Sequence, residues 1–304
     1  MKKTKNDQQW PRYAFQIILA LLLFAGCDGE DEPIPGYLSI GPFELIATEP
    51  LIHGSISEKI TNAKVFLTDA DGQLQSLGIV SLPAEVPTIV TGDMSITIDP
   101  YIKANGNSLF IEVYPFYERF TVPITVNQKE VTVVKPKTTY VDAAVFQFIE
   151  PFENTGQIFQ LDKDSDPDTY LEVSDEDVFE GSGSGKIKLT KDHSFFAVAT
   201  NNIYDLNLTE VKEIFMEVNY KTDIPLEFGV LAIDGVGAEI PKFEFVVLQK
   251  DVWNKIYFDL SNLIGTADES SFRFIIRGVI PSQNGEFTLD EALVYLDNIK
   301  LISF

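Results

Sequence analysis

Residues 251–260 read DVWNKIYFDL. The run is short and alternating, and it is built from the aromatic and branched residues that suit a pleated surface, so it reads as a β-strand. Working outward from it, the same reading recurs along most of the chain. Ala63-Lys64-Val65-Phe66-Leu67, Met94-Ser95-Ile96-Thr97-Ile98 and Leu109-Phe110-Ile111-Glu112-Val113 are runs of this kind, bounded by Gly, Asn, Asp or Pro. Further strands are expected at 120–126 and 131–134, and Asp71-Gly72 marks a hairpin turn. No stretch sustains helical periodicity over three turns. One turn of helix is expected at Leu206 to Lys212, with Asn207 or Thr209 as its cap. The fold class is therefore all-β.

The 304 residues carry 23 Lys and Arg against 46 Asp and Glu, a formal charge of −23. Such a chain repels polyanions, which excludes nucleic acid as a partner and disfavours broad contact with anionic lipid. Hydrophobic residues make up 45% and aromatics 12%, ample for a packed core. A length near 300 predicts two domains. The division is placed near 139–145. It leaves residues 37–140, the size of a sandwich domain, and 145–304.

The amino-terminal segment has its own logic. Lys2, Lys3, Lys5 and Arg12 precede an apolar run from Ala14 to Ala25 that is too short for an ordinary membrane span but suits a secretory signal. Leu23-Phe24-Ala25-Gly26-Cys27 resembles the lipobox of bacterial lipoproteins. The resemblance implies cleavage after residue 26 and lipid attachment at Cys27, the only cysteine, hence a membrane anchor and an outer-membrane location. Residues 27–36 then form an acidic tether. Asp28, Glu30, Asp31 and Glu32 fit three readings: a surface-export signal, an inner-membrane retention signal led by Asp28, or a solvated spacer.

Two further resemblances concern the body. His53-Gly54-Ser55-Ile56, the run from Ile60 to Leu67 and Asp71-Gly72 resemble the opening of transthyretin-like or carboxypeptidase-regulatory-like modules, which implies an immunoglobulin-like or transthyretin-like sandwich for 37–140. In the second half, Phe148-Ile149-Glu150-Pro151-Phe152-Glu153 is followed by the glycine turn Glu180 to Gly185 and by Lys186-Ile187-Lys188-Leu189. Trp253-Asn254-Lys255 comes next, and Leu296-Asp297-Asn298-Ile299-Lys300-Leu301 closes the chain. This order resembles the galactose-binding-like jelly rolls of carbohydrate-binding modules. The resemblance implies two packed antiparallel sheets, a glycan ligand, and a structural calcium held by Glu153 and Asp297, provided that the first and last strands of the half pair.

Acid spacing offers a second calcium candidate. Asp162, Asp164, Asp166 and Asp168 alternate like the start of an EF-hand loop, but Pro167 stands where that loop needs Gly and Val173 where it needs Glu. An EF-hand is excluded, which leaves a looser calcium loop or a solvated acidic one. Glycan binding needs exposed rings beside polar groups. The candidates are Phe195, Phe196 and Tyr204 with Asn201 and Asn202, then Tyr220, Trp253 and Arg277. If Phe195-Phe196 is strand, only one of its rings faces out. Trp253 is equally at home in a core.

Catalysis has little support. His53 and His193 lie far apart and outside any metal-ligand spacing, and no Gly-x-Ser-x-Gly elbow occurs. The expectation is a non-enzymatic, lipid-anchored protein whose second half binds a glycan. The alternative is a structural subunit that binds a protein of the cell envelope.

Overall fold

The computed structural model describes residues 32–46, 49–154, 156–206 and 213–304. The leader, Cys27 and most of the expected turn at 206–212 lie outside the described residues. The elements of the first half are β1 (Gly36–Ile40), β2 (Glu44–Leu45), the short helix α1 (Pro50–His53), β3 (Asn62–Asp69), β4 (Leu74–Ser81), β5 (Ala84–Thr88), β6 (Gly92–Lys103), β7 (Ile111–Val113), β8 (Phe120–Val126), β9 (Val131–Val134) and β10 (Lys137–Thr138). The second half adds β11 (Val145–Glu150), β12 (Phe159–Asp162), β13 (Glu172–Ser174), β14 (Ser184–Thr190), β15 (Phe195–Thr200), β16 (Tyr204–Asp205), β17 (Ile214–Thr222), β18 (Leu226–Ile233), β19 (Glu239–Val247), β20 (Lys250–Asp259), helix α2 (Ser261–Gly265), β21 (Ser271–Val279), β22 (Ser282–Gln283), β23 (Glu286–Phe287) and β24 (Glu291–Ser303). The all-β expectation holds.

In the first half, β4, β3 and β6 run antiparallel, with β7 and β8 both on the far edge of β6. The β3–β4 hairpin turns at Asp71-Gly72, as expected. Gly72 sits at φ +79°, and the Asp69 carboxylate accepts the N–H groups of Asp71 and Gln73 at 3.0 and 2.8 Å. Strands β5, β1 and β9 form a second sheet in which β1 lies parallel to β9. Alternation decides what goes inside: Val65 and Leu67 from β3, Ile96 and Ile98 from β6, and Leu38 and Ile40 from β1 share one core.

The second half is a two-sheet jelly roll. The inner sheet, which faces the first half, has the order β13-β14-β24-β17-β20, with β11 also on β24. The outer sheet has the order β12-β15-β21-β18-β19, with β16 also on β21. Strand β24 is the axis of the inner sheet. One edge pairs with β17 along its length; the other pairs first with β14 and then with β11. The first and last strands of this half are thus neighbours, as the calcium expectation requires. Between the sheets lie Met216 and Val218, Phe228 and Val230, Phe274 and Ile276, and Leu296 and Leu301. Each large apolar side chain buried there contributes about 1.5–3 kcal/mol.

The inner sheet is also buried on its other face. Phe215, Tyr257 and Ile302 point away from the jelly-roll core and join the core of the first half. Polar groups complete this junction. The Glu217 carboxylate lies 2.6 Å from the Lys255 ammonium and accepts hydroxyls from Tyr114 at 2.7 Å and Tyr140 at 2.9 Å. Lys255 also donates to the Ser57 carbonyl at 2.6 Å, and Lys300 to the Ser55 carbonyl at 2.5 Å and the Tyr140 hydroxyl at 3.1 Å. The Tyr257 hydroxyl accepts the Lys59 N–H at 2.9 Å. Residues 54–60 therefore form a strap across the inner sheet, and its carbonyls satisfy buried ammonium groups. Burial pushes Glu217 upward, but Lys255 and Lys300 outweigh it and hold the group below the ordinary carboxylate value. Burial pushes Lys300 down to about 7. It also pushes Tyr114, Tyr117, Tyr140 and Tyr257 well above the usual phenol range, so they stay protonated donors.

Candidate functional site

With the inner sheet closed, the outer sheet carries the open face. On β15 the pleat sends Phe196 into the core, fully buried, and Phe195 outward at 38% exposure. Phe196 is therefore no ligand contact, and of the expected pair only Phe195 is available. Phe195 lies opposite Val279 on β21, two residues from Arg277, which in turn lies opposite Glu227 on β18. Phe195, Glu227 and Arg277 line one cavity of about 420 Å³, walled by Pro225, Val279 and Pro281. The Arg277 Nε donates to Glu227 at 2.5 Å, and the guanidinium stacks 3.6 Å above the Phe243 ring. Its remaining N–H groups make no protein bond among the described residues. The floor beside it is the low apolar cluster of Ala197, Ala199, Leu231 and Ile275. An exposed ring, an oriented guanidinium, a carboxylate and apolar walls form a set that can stack a sugar ring and bond its hydroxyls. Glu227 and Phe243 were not among the sequence candidates. The alternation of β18 and β19 would have placed them outward, but nothing in the sequence pairs them with Arg277.

The other aromatic candidates are engaged elsewhere. Tyr204 packs at the core margin, its ring 5.1 Å from Phe148 and 5.8 Å from Phe274. Trp253 lies on the inner sheet beyond the junction, where its Nε1 donates to Asp177 at 2.7 Å and its ring lies 5.7 Å from Phe179. Tyr220 is buried and accepts the Asn254 amide at 2.9 Å. Asn201 donates to the Gln157 carbonyl at 3.2 Å, and Asn202 is exposed.

The first calcium candidate has a coherent setting. Asp297 is fully buried and accepts the N–H groups of Glu180 at 3.1 Å and Asn298 at 2.8 Å. Burial, with a smaller contribution from Glu153, pushes its carboxyl up to about 7. The Glu153 carboxylate accepts the Ser182 N–H at 3.0 and 3.1 Å and the Ser182 hydroxyl at 2.5 Å. Phe152 and Asn298, next to the two acids, both sit in the left-handed region at φ +53° and +48°. The buried Asn298 Nδ2 has no hydrogen-bond partner. A buried carboxylate whose proton affinity is raised by burial and by Glu153, with no cationic partner among the described residues, fits a hard divalent cation with oxygen ligands.

The second candidate does not assemble as expected. Asp162 accepts the N–H groups of Asp164 and Ser165, both at 2.9 Å. Asp164 accepts those of Asp166 at 2.8 Å and Ala197 at 2.5 Å. Only Asp166 and Asp168 come together, with His193 as the third group, their ligand atoms within 4.8 Å of one another. The His193 imidazole is already bound to Asp166 at 2.8 Å, a bond that raises its proton affinity and lowers that of Asp166. Calcium prefers six to eight oxygens, whereas three of these four carboxylates cap backbone N–H groups of their own loop.

No protein-family model and no curated protein matches the chain. Among solved structures, the chain is similar to the xylan-binding CBM22-1 domain of Paenibacillus barcinonensis Xyn10C, at 18% identity over 54% of this chain and 97% of that one, with a TM-score of 0.36. It is similar to the C-terminal family 22 carbohydrate-binding module of Clostridium thermocellum Xyn10B, at 11% identity over 52% and 92%, with a TM-score of 0.34. It is also similar to the endo-β-1,4-glucuronan lyase of Trichoderma reesei, at 12% identity over 52% and 95%, with a TM-score of 0.38.

Proposed function

We propose that this chain is a lipid-anchored, extracytoplasmic, non-catalytic glycan-binding protein of the outer membrane. Residues 37–140 act as the spacer, and residues 145–304 are the binding head, steadied by calcium at Glu153 and Asp297. The observation that carries the reading is the cavity in which the exposed Phe195 ring lies beside the Arg277–Glu227 pair, on a jelly-roll face that no other layer of the described residues covers. The leader and lipobox support the anchor, and the buried, unpaired Asp297 supports the cation. The test is thermal unfolding of the purified protein against a panel of polysaccharides, with and without calcium. A ligand at 100 times its Kd stabilises the fold by about 2.7 kcal/mol, which a melting curve registers. Phe195→Ala and Arg277→Gln are expected to abolish the glycan shift and leave the calcium shift intact. No shift with any glycan would overturn the glycan assignment and favour an envelope protein as the partner.

A further inference from the structure

On the far side of the β19–β20 turn lies a second cavity, of about 360 Å³, between the two halves. Four lysines line it: Lys59 from the strap, Lys103 from the end of β6, and Lys250 and Lys255 from β20. Lys255 is committed to Glu217 and the Ser57 carbonyl. The other three make no ion pair among the described residues. The Lys59 ammonium has one bond, to the Asn254 side-chain oxygen at 2.5 Å. No Asp or Glu among the described residues lines the cavity. In a chain with 46 acids against 23 bases, lysines readily meet a carboxylate, as Lys163, Lys186, Lys188, Lys191, Lys221 and Lys242 do. Among the described residues, these three ammonium groups without an ion pair share one hollow that no Asp or Glu lines.

The hollow is also built rather than incidental. The turn after β6 is docked on β20: the Asn105 N–H donates to the Tyr257 carbonyl at 2.8 Å, and the Asn105 side-chain oxygen accepts the Asp259 N–H at 2.9 Å. Asn105 and Gly106 hold this turn at φ +56° and +68°. The exposed side chains of Lys103, Lys59 and Lys250 thereby share the lining of one cavity. Burial lowers the proton affinity of Lys59, and the charges of Lys250 and Lys103 add to it. Thr61, Asn105 and Asn254 bring hydroxyl and amide groups to the same space, and Leu248 and Ile256 an apolar wall. The volume lies at the small end of the range for small-molecule sites, about 300–1,000 Å³.

We propose that this cavity binds the oxyanion of a small hydroxylated molecule, a sugar acid or a sugar phosphate, with Lys59, Lys103 and Lys250 as its cationic ligands. The ammonium groups would meet the carboxylate or phosphate oxygens, and the amides and Thr61 the hydroxyls. The site does not depend on the outer-sheet reading, although Val246 borders both cavities.

The experiment is isothermal calorimetry on the purified protein at low ionic strength. The probes are glucuronic acid, galacturonic acid, glucose 6-phosphate and inorganic phosphate, with glucose as the neutral control. The expected result is saturable binding of at least one anionic sugar, no binding of glucose, and an affinity that falls with added salt. Tighter binding of the uronic acids identifies a carboxylate source, and tighter binding of glucose 6-phosphate a phosphate ester; either supports the site. Lys103→Gln is expected to weaken binding at least fivefold, and Lys103→Gln with Lys250→Gln to abolish it. Lys103→Arg should keep most of it, which separates loss of charge from loss of fold. Phe195→Ala is expected to leave it unchanged. No heat with any anion at millimolar concentration, or equal affinity in the double variant, would overturn the proposal.

Discussion

Asp297 and Lys300 stand three residues apart on β24, both without solvent exposure and both pushed to about 7 from opposite directions. Between the ordinary carboxylate value and about 7, folded Asp297 holds a proton that the unfolded chain has lost, so stability falls as pH rises through this range. Between about 7 and the ordinary lysine value, the unfolded chain holds a proton that folded Lys300 has lost, so stability rises with pH. The metal-free protein is therefore expected to be least stable near neutrality, with each arm worth on the order of 4 kcal/mol. Chemical denaturation between pH 5 and 9 in chelator measures this. Calcium should erase the acid arm by favouring ionised Asp297, and Asp297→Asn should erase it without calcium. A flat metal-free profile would show that neither group is as poorly solvated as its burial indicates.

At the scale of elements, the turn between β13 and β14 links Glu153 and Asp297, the two acids of the proposed calcium site. Gly181 sits at φ +80°, and a Cβ there would lie 1.7 Å from the Glu153 Oε1. Gly181→Ala must strain the backbone by about 1–2 kcal/mol and drive Glu153 out of its place. The expected outcome is a melting point lowered by several degrees and a lost calcium shift, read by thermal unfolding with and without the ion; a full calcium shift in the variant would detach Glu153 from the site. Strands and turns of this kind were legible in the sequence, because alternation and glycine placement are local. Asp71-Gly72 gave its hairpin, and Phe195-Phe196 split across the pleat. What alternation could not show was coverage from afar. DVWNKIYFDL reads as a strand with one wet face, yet residues 255–258 are all buried, because the strap some 200 residues upstream lies on Lys255 and Tyr257. The same distance hid the pairing of Glu227 with Arg277 and the gathering of three lysines, since each arises from strands brought together only by the fold. The aspartates at 162–168 show the limit of local spacing itself. Their spacing matches a metal loop, but it also matches carboxylates that cap their own backbone.

At the scale of the whole molecule, the two halves share a core through Phe215, Tyr257 and Ile302, and Glu217 and Lys255 are an ion pair that the junction seals from water. Parting the halves would expose that apolar surface and loosen the polar network. Calorimetric unfolding of the purified protein is expected to show one transition that includes both halves, with the calorimetric enthalpy equal to the van't Hoff value. Two resolved transitions would mean that the junction contributes little.

The strap has a consequence for descent as well as for stability. The ammonium groups of Lys255 and Lys300 belong to the second half, while the carbonyls of Ser55 and Ser57 that receive them belong to the first. A recombination that carried either half alone into another gene would leave buried ammoniums facing a stranger's side chains, or carbonyls facing none. Domain shuffling, which moves self-contained modules freely, would thus be selected against at residues 140–145. The two halves are expected to be inherited as one indivisible cassette.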